Sequence, residues 1–229
     1  MRPINVIWHI ILSIIMPFAI IILSSNLVLR LPEMYVYHFN DTRAPSYASS
    51  QISGSEFAGY ITGYFNSPTQ KDLQIYEQNG TYKDPLLEND EIEVMHRAKH
   101  LMTVGLIAGT ALMAISVALF IYLHRISTRK GMRISGNTAL CITVVELIAV
   151  LILVNNEGMR FALYRMFIGT QLNDDAVIKI LLSSPLETSF TIFEGVLASV
   201  MTAVWMYINI VTTKEKLTQI GRASCRERV

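Results

Sequence analysis

Residues 91–123 read EIEVMHRAKHLMTVGLIAGTALMAISVALFIYL, and this stretch decides the fold. Its first ten positions carry Glu91, Glu93, His96, Arg97, Lys99 and His100. From Leu101 to Leu123 there is then no charged side chain. Spanning the hydrocarbon core takes about 20 mostly apolar residues, because each helical residue rises about 1.5 Å. Leu101–Leu123 is therefore expected to cross a membrane, with the polar run before it as the threshold of that span.

The rest of the chain agrees with a membrane setting. Only 16% of its 229 residues are charged and 52% are hydrophobic, whereas globular domains carry about a quarter charged residues. A net charge of +1 excludes a strong polyelectrolyte, and no basic patch with interleaved aromatics suggests nucleic acid. Three further spans are expected: Ile4–Leu29, with Pro17 as a tolerated kink; Thr138–Val154, containing Glu146; and Ile192–Val211, with Glu194 near its start. Arg2 raises the alternative of a cleaved signal peptide. The apolar run is too long for that and its exit SSNLVLRLP lacks a small-x-small cleavage site, so it reads as a retained anchor. The last ten residues, IGRASCRERV (220–229), read as a translated sequencing adapter and are set aside as an artefact. Without them the formal charge moves from +1 to −1 and Cys141 stands alone, which excludes an intrachain disulfide or a thiolate metal site.

Lysine and arginine set the orientation of such a chain. The loop 124–137 holds Arg125, Arg129, Lys130 and Arg133 with no acid, Lys214 and Lys216 follow the last span, and Arg2 precedes the first. All belong on one side, the cytoplasm. The segment 30–100 has six Lys/Arg against ten Asp/Glu and belongs outside. The expected architecture is an all-α membrane protein with transmembrane helices in 1–29, 101–123, 138–154 and 192–212. A small mixed extracytoplasmic subdomain occupies 30–100, a second extracytoplasmic loop 155–191, and a cytoplasmic tail 213–219.

Within the first outer segment, SGSEFAGYITGYFNSP (53–68) predicts a helix: Ser53 and Glu56 have capping-box spacing and Pro68 ends it. Phe57, Tyr60, Ile61, Tyr64 and Phe65 are expected to share its apolar face. LQIYEQNGTYKDP (73–85) alternates weakly around Asn79-Gly80, a favoured two-residue turn, and predicts a β-hairpin. A further helix is expected from Asp174 to Leu182, ending near Pro185.

Few residues are placed to carry chemistry. On a helix Glu93, His96 and His100 lie at i, i+3 and i+7 and share a face. Two histidines four apart beside an acid are able to hold a metal ion or supply a general base, since neutral imidazole titrates near physiological pH. Their order is not that of H-E-x-x-H and no second ligand cluster accompanies them, so no metal and no cofactor is expected. The plainer reading is a polar cap at the interface, with Arg97 and Lys99 meeting lipid phosphates. Carboxylates inside spans usually face a bundle interior or cavity. Glu194, towards the outer side, is placed to meet Arg160 or Arg165 at the mouth of a site; Glu146, near mid-membrane, reads as a structural hydrogen bond between helices. Gly105 and Gly109 form a small-xxx-small pair that favours close packing. His9 and His124 are expected at the interface, and His38 in YVYHFN is a second candidate. No Gly-rich phosphate loop, G-x-S-x-G elbow or kinase signature occurs.

The order of parts over most of residues 1–212 resembles the lipoprotein intramolecular transacylases, small integral membrane proteins of Gram-positive bacteria. The resemblance rests on the outer helix SGSEFAGYITGYFNSP, on LQIYEQNGTYKDPLLENDEIEVMHRAKHLM leading into the second span, and on RFALYRMFIGTQLNDDAVIKILLSSP before the fourth. It implies a multi-pass protein of the bacterial plasma membrane, with membrane lipid and bacterial lipoproteins as partners. It implies transfer of an acyl chain from the diacylglyceryl group of a lipoprotein to the amino group of its N-terminal cysteine, with no cofactor. Where the family's two motifs carry histidine, this chain has Val94 and, in place of Phe-His, Leu163-Tyr164. Either the site is rebuilt around His96 and His100 as bases and Tyr164 as hydroxyl donor, with Arg160, Arg165 and Glu194 binding substrate, or this branch is a non-catalytic lipid- or partner-binding protein on the same scaffold.

Overall fold

The computed structural model describes residues 3–49, 51–79, 82–159, 162, 176–182 and 186–226. Along the chain run α1 (Pro3–Val28), α2 (Pro32–Thr42), α3 (Ala44–Ala48), α4 (Gly54–Asn66), β1 (Tyr76–Asn79), β2 (Tyr82–Pro85), α5 (Asn89–Ile126), α6 (Arg129–Asn155), α7 (Val177–Leu181) and α8 (Leu186–Arg226). Among the described residues four helices are long and apolar enough to cross a membrane: Val6–Val28, Asn89–Ile126, Lys130–Asn155 and Leu186–Thr212. The chain is thus an all-α multi-pass membrane protein, and among the described residues the sheet is a two-stranded hairpin.

The helices α5, α6 and α8 overrun the expected spans at both ends, while α1 stops at Val28, one residue short of the expected end. No break separates the polar run 91–100 from the apolar run after it, because Asn89 to Ile126 contains no proline and its first turn carries Asp90 and Glu91, which suit the positive end of a helix. Between α5 and α6 only Ser127 and Thr128 lie outside helices, so most of 124–137 is helical rather than loop.

Contacts divide the chain into two units. The first comprises Met1–Ser24, Ile107–Ala149 and Val196–Val229. Here α1 meets α5 where a Cβ on Gly109 would lie 3.0 Å from Ile22 and Leu23 side-chain atoms, so the glycine permits the close approach its spacing predicted. The α5–α8 contact is made by Phe120 and Trp205, whose rings meet edge-on at 4.7 Å. Between α6 and α8, the Asn209 side chain lies so close over Gly136 that a Cβ there would clash with its Nδ2. His9 is less interfacial than its position suggested: it is buried, its Nε2 2.5 Å from Ser127 Oγ, while Ser13 and Ser135 pair at 3.0 Å beside it. Glu146 corrects another expectation, since neither carboxyl oxygen has a hydrogen-bond partner among the described residues.

The second unit comprises Ser25–Leu106 and Val150–Gly195. Pro32, which tolerates the first helical turn, opens α2, and α2 ends where Arg43 turns left-handed (φ 55°) and donates its N–H to the Phe39 carbonyl. The capping box of α4 forms as expected: Ser53 Oγ accepts from the Glu56 N–H, and the Glu56 carboxylate accepts from the Ser53 N–H. Phe57, Ile61, Tyr64 and Phe65 are buried, whereas Tyr60 is 46% exposed. The buried stripe also takes in Ala58 and Thr62, which moves its centre to about 60° from Phe57 and leaves position 60 about 120° from that centre, since the helix turns about 100° per residue. In the hairpin, Asn79 pairs with Tyr82 in the ladder, so it is a strand residue rather than the first residue of the turn.

Candidate active site

The polar residues of the second unit fall into a buried group and an exposed one. Glu194, on α8, is fully buried and accepts a hydrogen bond from Ser25 Oγ of α1 at 3.0 Å. A carboxylate at this depth requires hydrogen-bonding partners, because its desolvation is otherwise uncompensated. Glu91 is 2% exposed and divides its two oxygens between backbone donors: Oε2 accepts from the Glu88 N–H and Oε1 from the Ile178 N–H, both at 2.8 Å. The second of these holds the first turn of α7 to α5.

His38 holds the other end of α7. Its ring is fully buried and Nε2–H donates to the Leu181 carbonyl at 3.0 Å, which leaves Nδ1 as the lone-pair nitrogen, without a partner among the described residues. Burial lowers its pKa; the bond to Leu181 and the charges of Glu187 and Asp41 oppose that but do not reverse it. His38 is thus a neutral imidazole.

The two histidines singled out in the sequence are exposed. His96 is nonetheless oriented: its Nδ1–H donates to the Lys71 carbonyl at 3.1 Å, so Nε2 carries the lone pair. Beside it, Arg97 pairs with Glu93 one turn back. Val94 and Met95, by contrast, are buried. Residues 96 and 100 stand about 200° and about 240° around the helix from Val94, so neither histidine shares its face. No hydrogen bond joins His96 or His100 to Glu194 among the described residues. Tyr164, Arg160 and Arg165 lie outside the described residues. So do the first two residues of the expected helix 174–182; its described part, 176–182, contains α7.

Two polar links were not legible in the sequence. Ser25 belongs to the apolar exit SSNLVLRLP and carries no motif; Glu91 is one of four acids between 88 and 93. Each is singled out only by a partner from a later helix. Among the described residues no group of three or more His, Cys, Asp or Glu is placed to hold a metal ion.

Residues 10–168, more than half of the chain, match the family of the lipoprotein intramolecular transacylase Lit. The chain belongs to the Lit family. Its fold is that of the solved family structures. A histidine-to-alanine variant of the integral membrane lipoprotein intramolecular transacylase Lit from Bacillus cereus aligns with a TM-score of 0.72 and 13% identity, over 94% of this chain and 96% of that one. A further Bacillus cereus Lit structure aligns with a TM-score of 0.65 and 15% identity, over 95% of this chain and 100% of that one. None of the curated proteins matches the chain. At such identities the structural likeness carries the fold, and the family match carries membership.

Proposed function

We propose that this Lit-family chain transfers an acyl group within a lipoprotein, from the diacylglyceryl ester to the amino group of the N-terminal cysteine, at the outer leaflet of the bacterial plasma membrane. The family match over residues 10–168 carries this reading. The amine nitrogen attacks the ester carbonyl, and a base takes the proton that the nitrogen must lose. The tetrahedral intermediate then collapses with cleavage of the bond to the glycerol oxygen, which receives the proton; an amide replaces the ester and no co-reactant is needed.

His96 is the better placed of the two base candidates. Its bond to the Lys71 carbonyl fixes the tautomer that presents Nε2 as proton acceptor; His100 is the alternate. Tyr164 is assigned as hydroxyl donor, Arg160 or Arg165 as partner of the developing oxyanion, and Glu194 as orienter. The basic loop and termini are assigned to the cytoplasm, which puts 30–100 and 155–191 outside.

One observation favours a second reading, a non-catalytic lipid- or partner-binding protein. Val94, at the position where the family motif has its histidine, is buried, and neither nearby histidine shares its face. Mass spectrometry of lipoprotein N-termini from cells expressing the chain decides between them. Acyl transfer leaves the intact mass unchanged but predicts fragment ions that place one acyl chain on the amine instead of the glycerol, a shift in position that disappears in the His96→Ala, His100→Ala double variant. A shift that survives both substitutions would remove these histidines from the site; no shift with the unaltered chain would leave the binding reading.

A further inference from the structure

Arg30 lies two residues beyond the end of α1, and Lys99 two residues before the uncharged run of α5. The packing of these antiparallel helices puts them level. Asn26 Nδ2 donates to the Met102 carbonyl, and a Cβ on Gly105 would lie 3.1 Å from the same amide. Arg30 follows Asn26 by four residues, just past the end of α1, and Lys99 is three back from Met102 along α5, about one helical turn.

Both cations settle against the last turn of α4. Arg30 Nη1 donates to the Phe65 carbonyl and, at 3.5 Å, to Asn66 Oδ1, while Nε donates to Asn26 Oδ1 at 3.0 Å. Lys99 Nζ stands 4.2 Å over the Tyr64 ring and donates to the Gln70 carbonyl at 2.6 Å. Every one of these partners is neutral. Among the described residues neither cation has a carboxylate within ion-pairing distance, and the charge of Arg30 is felt at Lys99, adding to the effect of burial there. Asp72, whose charge reaches the Tyr64 hydroxyl, makes no ion pair with either. Arg97, two residues from Lys99, is by contrast already neutralised by Glu93.

Two like charges held close together without an acid repel one another, and an anion placed between them would reverse that. Their level supplies the anion: they stand where two uncharged helical runs end, the depth at which the phosphates of a bilayer lie. We propose that Arg30 and Lys99 form a binding site for the phosphate of a membrane phospholipid, roofed by the last turn of α4. The lipoprotein substrate of the proposed reaction offers a glyceryl ester and an amine but no phosphate, so this site is separate from acyl transfer and its occupant is a structural or regulatory lipid.

The test is lipid titration of the full chain in neutral detergent, read by native mass spectrometry, with dioleoylphosphatidylglycerol against dioleoylglycerol, which has the same tails and no phosphate. Phosphatidylglycerol is expected to bind the more tightly. Removing one of two charge-assisted contacts is expected to weaken it roughly tenfold in Lys99→Gln, with Arg97→Gln unchanged. Arg30 also ties α1 to α4, so Arg30→Gln is read together with its thermal melt, and Lys99→Gln is the deciding variant. Equal affinity in Lys99→Gln and the unaltered chain, or an equal loss in Arg97→Gln, would overturn the site. Saturation by micromolar inorganic phosphate without lipid would assign it to a soluble anion and overturn the lipid.

Discussion

His38 shows how much a single buried residue depends on protonation. Its ring is neutral in the folded chain and its pKa is lowered by burial, so the unfolded chain, with an ordinary histidine near 6.5, binds the proton first as pH falls. Stability is then full above about pH 6.5 and declines below it, at no more than about 1.4 kcal/mol per pH unit for one proton. Glu187 and Asp41 act in the opposite direction and soften the decline. Thermal unfolding measured from pH 7.5 to pH 5 should therefore show a falling midpoint, and His38→Gln, which cannot titrate, should flatten it. A slope unchanged by that substitution would place the proton elsewhere. The sequence marked His38 as a candidate but gave no sign of its burial, because its partner is a backbone carbonyl 143 residues away. His96 and His100 drew more notice for the opposite reason: exposed side chains in a polar run are conspicuous in a sequence.

Among elements, legibility followed the range of the interactions involved. The spans were visible because hydropathy is a property of consecutive residues, and the capping box of α4 because its members are three residues apart. The short helices α2 and α3 went unassigned: their stretch, PEMYVYHFNDT and APSYA, lacks a long apolar period and is kept helical by packing against α4 and α7. Gly109 links sequence spacing to packing most directly. Its Cβ position is already 3.0 Å from α1 side chains, so Gly109→Leu should separate the two helices and destabilise by about 1–3 kcal/mol. Gly59→Ala, with nothing within 4 Å, should be neutral or stabilising by up to about 1 kcal/mol. Denaturation midpoints in one detergent compare the two; similar shifts would argue against a packing role for Gly109.

At the scale of the whole molecule, charge placement is the most testable feature, because the orientation it implies is a property of the inserted chain. With native cysteines replaced, a cysteine at Tyr47, 77% exposed, should react with a membrane-impermeant thiol reagent added to intact cells. One at Lys130 should react only after permeabilisation, and the reverse pattern would invert the topology. The links made by Glu91 and His38 also set a timetable for biosynthesis. Glu91 finds its partner on Ile178 only after 87 further residues have been made, and His38 waits 143 for Leu181. At synthesis rates of about 5–20 residues per second these are delays of roughly 4–17 and 7–29 seconds. Throughout that interval a carboxylate and an imidazole destined for burial stay hydrated. The nascent protein thus closes its polar interior late, and a ribosome stalled before residue 178 would leave α5 inserted with that interior still open.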